Sequence, residues 1–157
     1  MSALQRRIEA AAAARKVLLD HFNYVAPIGA LAGSATGTFT IPIQSDSDFL
    51  WVGTTLTVFT AVNVLDPAPD IVWSVVDAGS GRQLQSAPMP VLGSTGTGQW
   101  PFMLPAAKIF PGNGSITVTA TDRSTVAKVQ VDFIFIGYKI FYAAGFNREQ
   151  LINGTLS

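Results

Sequence analysis

The sequence predicts an all-β fold: an antiparallel β-sandwich or jelly roll of about eight strands, with an N-terminal α-helix and an extended arm. Three observations carry this. Residues 115–121 alternate Ile116, Val118 and Ala120 with Thr117, Thr119 and Thr121, the period of a strand with one buried face. Turn residues recur at short intervals, as in 66–70 (DPAPD), 78–81 (AGSG) and 111–114 (PGNG). No helical pattern separates the strands, so parallel crossover units are not expected.

Residues 2–22 read as a helix. Ser2 and Gln5 have the spacing of a capping box, and the alanines at 10–14 favour helix. Leu4, Ile8, Ala11, Ala12, Leu18, Leu19 and Phe22 fall near one face at helical spacing. Arg6, Arg7, Arg15 and Lys16 outweigh Glu9 and Asp20, so the segment is net basic. Such a helix packs on its own domain or a copy of itself, or docks on another protein; its apolar face is too weak for firm lipid anchoring. Residues 23–37 (NYVAPIGALAGSATG) read as an arm that orders against a neighbour, because Tyr24, Val25, Ile28 and Leu31 sit in an otherwise flexible run.

From Thr38 the period becomes two. Phe39, Ile41 and Ile43 share a face, and Pro42 marks an edge strand because it cannot donate to a ladder. The run 45–48 (SDSD) is a turn. A long strand follows over 49–62, with a bulge at Gly53 and with Leu56, Val58 and Val62 alternating against Thr55, Thr57 and Phe59. Residues 71–77 are apolar on both faces, hence central. The turn 78–81 leads back into 82–87 as a hairpin. Pro88, Pro90, Pro101 and Pro105 then preclude a long regular element over 86–108. In the last strand, from 126 to about 140, Val129, Val131, Phe133 and Phe135 form one face. The other face turns from Lys128, Gln130 and Asp132 to Ile134, Ile136 and Tyr138, which suits a subunit contact. The tail 143–157 has weak helical character over 147–152 and reads as a further arm.

Composition narrows the function. Only 13% of the 157 residues are charged while 48% are apolar, against roughly 25% charged in an ordinary soluble chain. A chain so short of charge is expected to cover part of its surface with partners. The net charge is zero, which removes the electrostatic case for nucleic acid. No cysteine is present, so disulfides and thiolate metal sites are excluded. No apolar run reaches the about 18 residues of a membrane span, and the N-terminus lacks a signal-peptide pattern, so assembly in the cytoplasm is expected.

Catalytic and ligand motifs are weak. His21 is the single histidine, and beside Asp20 on a helix it would face away from that acid; a histidine at a helix C-terminus is the simpler reading. Asp46, Asp48, Asp66 and Asp70 lack a calcium-loop spacing and read as turn residues. The glycine-rich run 93–98 lacks the lysine of a phosphate loop and reads as a flexible loop. Of the three tryptophans, Trp73 reads as core and Trp100, between prolines, as a subunit anchor, with core or ligand stacking as its alternatives. Arg82 and Arg123, at turns, are solvated or pair with a neighbouring subunit. No cofactor and no metal are expected.

A resemblance enters with an ordered set of residues: Ser80-Gly81-Arg82, Ser86-Ala87-Pro88, Trp100-Pro101-Phe102, Leu104-Pro105, Ile109-Phe110-Pro111, Ser115 to Val118, Thr121 to Ser124 and Phe135 to Lys139, preceded by Asp46-Ser47-Asp48-Phe49. Over 45–142 this order resembles small jelly-roll virion proteins of tailed bacteriophages, of the cement or decoration kind. The resemblance implies a non-enzymatic structural protein of the virion, placed on the capsid surface. It implies a homotrimer that clamps the major capsid protein; on charge and hydropathy, no nucleic-acid or membrane partner is expected. A tail or fibre adaptor and a carbohydrate-binding β-sandwich are the alternatives.

The expected organisation is a helix and docking arm over 1–37, a jelly roll over 38–142 and a tail over 143–157. The expected partner-binding residues are Leu4, Arg6, Arg7, Ile8, Tyr24, Ile28, Leu31, Trp100, Phe102, Ile134, Ile136 and Tyr138. Deleting 1–37 is then expected to leave a soluble trimer that no longer decorates capsids.

Overall fold

Two sheets, each built from strands with one apolar face, close on a common core in a computed structural model that describes residues 3–155. The first sheet has the order β1 (Val17–Leu31), β10 (Lys128–Tyr142), β3 (Asp48–Ala61). The far side of β3 pairs with β8 (Phe102–Phe110) along its first half and with β4 (Val64–Leu65) at its end. The second sheet has the order β2 (Thr36–Pro42), β9 (Ser115–Asp122), β5 (Ile71–Asp77), and β5 is flanked by β6 (Arg82–Gln83) and β7 (Met89–Pro90). All these pairings are antiparallel. The chain passes from one sheet to the other between β1, β2, β3 and β5 and again between β8, β9 and β10. That alternation makes the sandwich a jelly roll.

The period-two patterns set the inner faces. Ile116, Val118 and Ala120 of β9, Ile71, Trp73 and Val75 of β5, and Val131, Phe133 and Phe135 of β10 are all buried in one cluster. Trp73 stacks on Phe133 with ring centroids 4.9 Å apart, and its indole N–H donates to Ser94 Oγ at 2.7 Å. On the outer face of the second sheet, threonines pair across β2 and β9: Thr36 with Thr121, Thr38 with Thr119 and Thr40 with Thr117, at 2.8–3.2 Å. These hydroxyl pairs support β2, the edge strand that carries Pro42.

The expected bulge is present. The register of β3 slips between Trp51 and Gly53 against both β10 and β8, so Val52 is the extra residue. Opposite it, Gly137 has no room for a side chain: a Cβ would lie 2.0 Å from the Leu50 carbonyl oxygen and 2.7 Å from the Phe49 ring.

Several expectations are corrected. The first concerns 2–37. The helix α1 spans only Ala3–Ala13, and the Ser2 part of the expected capping box lies outside the described residues. Arg15 takes a left-handed φ of 56° while Lys16 N–H bonds to Ala11 O and Arg15 N–H to Ala12 O. This is a Schellman stop made without glycine, which is why no stop signal was legible. The next fifteen residues are then not a helix end and a free arm but strand β1, paired along its length with β10. Phe22, Tyr24 and Ala26 point inward and Asn23 and Val25 outward. The sandwich therefore begins at Val17, not at 38.

The second correction concerns 86–108, where a nine-residue strand, β8, includes Pro105. The slip between Lys108 and Met103 against β3 loops 104–107 out of the ladder, so the missing proline N–H costs no hydrogen bond. The third concerns 82–87, where the strand spans only Arg82–Gln83 and one further backbone bond runs from Leu84 N–H to Val75 O at 3.0 Å. β3 also stops at Ala61, leaving Val62 exposed in a turn through Asn63 at φ 59°.

The tail is part of the fold. Asn147 caps α2 (Arg148–Asn153) in a reciprocal box with Gln150, and Gly154 ends it in a left-handed turn. α1 and α2 lie together on one end of the first sheet's outer face. There Ile8, Ala11, Phe146 and Leu151 cover Val17, Leu50, Ala107 and Ile140 in a second apolar cluster.

Candidate interaction surface

The outer face of the first sheet is apolar along the second part of β10, from Ile134 onward, and the two helices cover only one end of it. Ile140 lies beneath them and is fully buried. Beyond their edge the cross-strand rows are partly open, on the side of β1 and β10, while Gly53 and Thr55 on β3 are buried. Val25 sits beside Ile134 and Thr55, and Asn23 sits beside Ile136 and Gly53. Met103 follows in the same row, since it pairs with Gly53 and its sulfur lies 3.0 Å from where a Gly53 Cβ would stand. His21 and Tyr138 form the next row, their rings edge to face at 5.8 Å. Val25 is 47% exposed, Met103 55% and Tyr138 36%. Ile134 and Ile136 are half-buried.

A tip beside this face holds Trp100, which is 81% exposed. Its backbone is tied down, since its carbonyl accepts Thr97 N–H at 3.0 Å and its own N–H donates to Thr97 Oγ1 at 3.2 Å. The glycine-rich run that was expected to be a flexible loop is stitched onto β3. Gly96 N–H bonds to Thr54 O at 3.1 Å, and Leu56 N–H bonds to Gly96 O at 2.9 Å. Gly96 is required there, since a Cβ would meet Trp100 O at 2.0 Å. An exposed indole on a loop held this way loses little freedom on binding.

The expected partner-binding residues separate into three groups. Leu4, Ile8, Tyr24, Ile28 and Leu31 pack within the chain's own two clusters. Their apolar character reflects folding, and Tyr24 Oη accepts Gln44 N–H at 3.1 Å inside. Arg6 and Arg7 are exposed on α1, where Arg7 donates to the Ile152 carbonyl and ties α1 to α2. Trp100, Phe102, Ile134, Ile136 and Tyr138 reach the surface. Phe102 points elsewhere than the others, into a groove between the sheets lined by Trp51, Trp73, Met89 and Leu104. Val25 and Met103 were missed as surface members. Val25 had been assigned to an arm, and Met103 to an irregular stretch; the alternation Phe22-Tyr24-Ala26 was the available signal for β1.

Several polar groups elsewhere are engaged in structure. His21 and Asp20 are neighbours on a strand, so they point to opposite faces and form no dyad; the helix C-terminus expected for His21 is absent. Asp46 pairs with Lys139 at 2.8 Å and Asp70 with Arg123 at 2.6 Å, so Arg123 is satisfied within the chain. Asp48 accepts Gly112 N–H at 2.8 Å and the Tyr142 hydroxyl at 2.7 Å. Burial first, and then that carboxylate, push the Tyr142 phenol far above its ordinary value of 10.0. Among the described residues no group of three or more His, Asp or Glu could hold a metal ion. In the groove, Trp51 N–H bonds to Gly53 O and Trp73 N–H to Ser94 Oγ, so neither indole has a donor to offer a ligand.

Asp77 permits a prediction from charge. Burial opposes its ionised form, but hydrogen bonds from Ser80 and the Lys108 ammonium at 3.4 Å outweigh that, so its carboxyl lies below the ordinary 3.8. A carboxyl lowered on folding adds stability above its unfolded value, and that stability is lost as pH falls through the folded value. Lys108→Met is therefore expected to move the Asp77 carboxyl upward in an NMR titration and to bring acid unfolding to higher pH. An unmoved carboxyl would mean that Lys108 does not act on it.

The fold and this face together define a class: a jelly roll that turns a partly open apolar sheet face and an exposed aromatic tip outward. No protein-family model matches the chain, and no curated protein matches it. Among solved structures it is similar to the VP2 subviral particle of infectious bursal disease virus, with 14% identity and a TM-score of 0.38 over 90% of this chain and 34% of that one. Derived T=1 particles of the same virus match at 16% identity and a TM-score of 0.22, over 87% of this chain and 42% of that one. The chain thus spans about a third of the length of the first of these proteins, 34%.

Proposed function

We propose that the chain is a non-catalytic structural protein of a virus particle. In this reading it is a cement protein that associates with itself as a trimer and binds the major capsid protein of a tailed bacteriophage. The observation that carries the reading is the partly open apolar face of Val25, Met103, Ile134, Ile136 and Tyr138. A free monomer would leave that face in water, and partners would cover it. The low charge and the residue order over 45–142 support the same reading. The face serves self-association, and the Trp100 tip reaches the capsid.

Light scattering on the purified protein and a capsid co-sedimentation assay test this. A trimer is expected, and Ile136→Asp should convert it to monomer with its β-sheet circular dichroism unchanged. Trp100→Ala should keep the trimer and lower capsid binding by more than tenfold, as expected for a central aromatic anchor worth about 2 kcal/mol. A wild-type monomer that does not bind capsids would sink the reading. The exposed, fixed Trp100 favours one alternative, a glycan platform, which predicts glycan binding by a monomer and its loss in Trp100→Ala.

A further inference from the structure

Lys128, the first residue of β10, is buried to 4% exposure between two carboxylates. Its Nζ lies 3.0 Å from Asp66 Oδ2, on the loop after β4, and 4.0 Å from Asp122 Oδ2, at the end of β9. Ser124 Oγ, 3.3 Å away, holds the ammonium from a third side. Asp122 is fully buried. Its Oδ1 accepts Ser124 N–H at 2.8 Å, but its Oδ2 has no hydrogen-bond partner. A buried carboxylate oxygen left without a partner is costly and rare. The Lys128–Asp66 pair would be complete without it, so ion pairing alone does not account for a second carboxyl aimed at the same ammonium.

We propose that Lys128 and Asp66 condense spontaneously into an intramolecular isopeptide bond, with Asp122 moving the protons. Asp122 Oδ2 takes a proton from the Lys128 ammonium. The freed amine attacks Asp66 Cγ, the C–N bond forms and one C–O bond breaks. That oxygen leaves as water, carrying two of the three ammonium protons, one of them handed over by Asp122. The third proton stays on the amide nitrogen. No oxidant, metal or external reagent enters the balance.

The 3.0 Å contact from Nζ to Asp66 Oδ2 holds the nitrogen against the carboxyl group whose carbon it attacks, so little reorientation is needed. Burial favours the product, because a neutral amide replaces two charges whose removal from water is expensive. The bond would join the start of β10 to the loop that carries the chain from the first sheet to β5. The Asp70–Arg123 pair already holds that loop noncovalently. The inference does not depend on a role in a virion.

Mass spectrometry of the full-length protein, intact and after trypsin, decides it. The expected mass is one water below that of the processed sequence. The expected digest contains peptide 17–82 joined to peptide 124–139 through an uncleaved Lys128. Lys128→Arg should restore the full mass and give separate peptides. Asp122→Asn, checked for native circular dichroism, should lose the cross-link. A wild-type protein at full mass, or a bond mapped to Asp122 instead of Asp66, overturns the proposal. A folded Asp122→Asn protein that cross-links to the wild-type extent overturns the role given to Asp122. Should that variant not fold, the wild-type mass and digest decide the bond alone.

Discussion

Trp73→Ala is expected to cost about 3–5 kcal/mol, the range for emptying a large aromatic site in a core. Trp73 is 2% exposed, stacks on Phe133 and meets Phe135 edge-on at 6.3 Å. Its N–H also fills Ser94 Oγ, which in turn donates to Pro90 O at 2.7 Å. Truncation therefore opens a cavity at the contact between the two sheets and loosens the chain before the 94–100 loop. Against a total stability of about 5–15 kcal/mol, such a loss leaves a domain close to unfolding at room temperature. Urea titration followed by Trp fluorescence measures it. Trp100→Ala, in contrast, should shift stability by no more than about 0.5 kcal/mol, because the side chain is exposed. Equal destabilisation by the two changes would refute the division between a core and a surface tryptophan.

Deleting residues 1–31 is expected to abolish folding, whereas deleting 1–13 should leave a folded but weakened protein. The longer deletion removes β1, so β10 loses its ladder partner and becomes an open edge. Tyr24, Ala26 and Leu31 vanish from the main core, and the Phe49 ring loses its edge-on contact with Tyr24 at 4.8 Å. This reverses the outcome expected when 1–37 is read as a detachable arm. The shorter deletion keeps both sheets but strips Ile8 and Ala11 from the second cluster, uncovering Val17, Leu50 and Ile140. Losing the burial of Ile8 alone removes about 1.5–3 kcal/mol, and the bared apolar end should promote association. Circular dichroism melts and size-exclusion chromatography separate the cases. A soluble, cooperatively melting protein lacking 1–31 would return that segment to the role of a docking arm.

Much of the sandwich was legible because side-chain alternation is a local property of a strand. Ile116, Val118 and Ala120 could face only one way together, and the same held for Phe133 and Phe135. The bulge beside Gly53 and the edge position of Pro42 followed from backbone chemistry that needs no partner to be read. The apolar second face of β10 was also visible in Ile134, Ile136 and Tyr138. How much of it stays open was not visible, because the cover comes from α1 and α2, distant in sequence.

Residues 17–31 show where local reading ends. Leu18, Leu19 and Phe22 suit a helix, while Phe22, Tyr24 and Ala26 suit a strand. With Arg15 in place of a glycine stop, the sequence holds both patterns without choosing. The choice falls to β10, whose free edge offers a backbone hydrogen-bonding partner along the whole segment. β8 is similar: Pro105 argues against a strand until the bulged β3 leaves it a place outside the ladder. The sequence by itself determined the all-β class, the low charge and the inward faces of β2, β9 and β10. The tertiary structure alone decided which segment closes the edge of β10, which apolar residues are spent in folding and which remain exposed. Alternation is written residue by residue, whereas a strand's hydrogen bonds and the cover over its outer face are supplied by segments far along the chain.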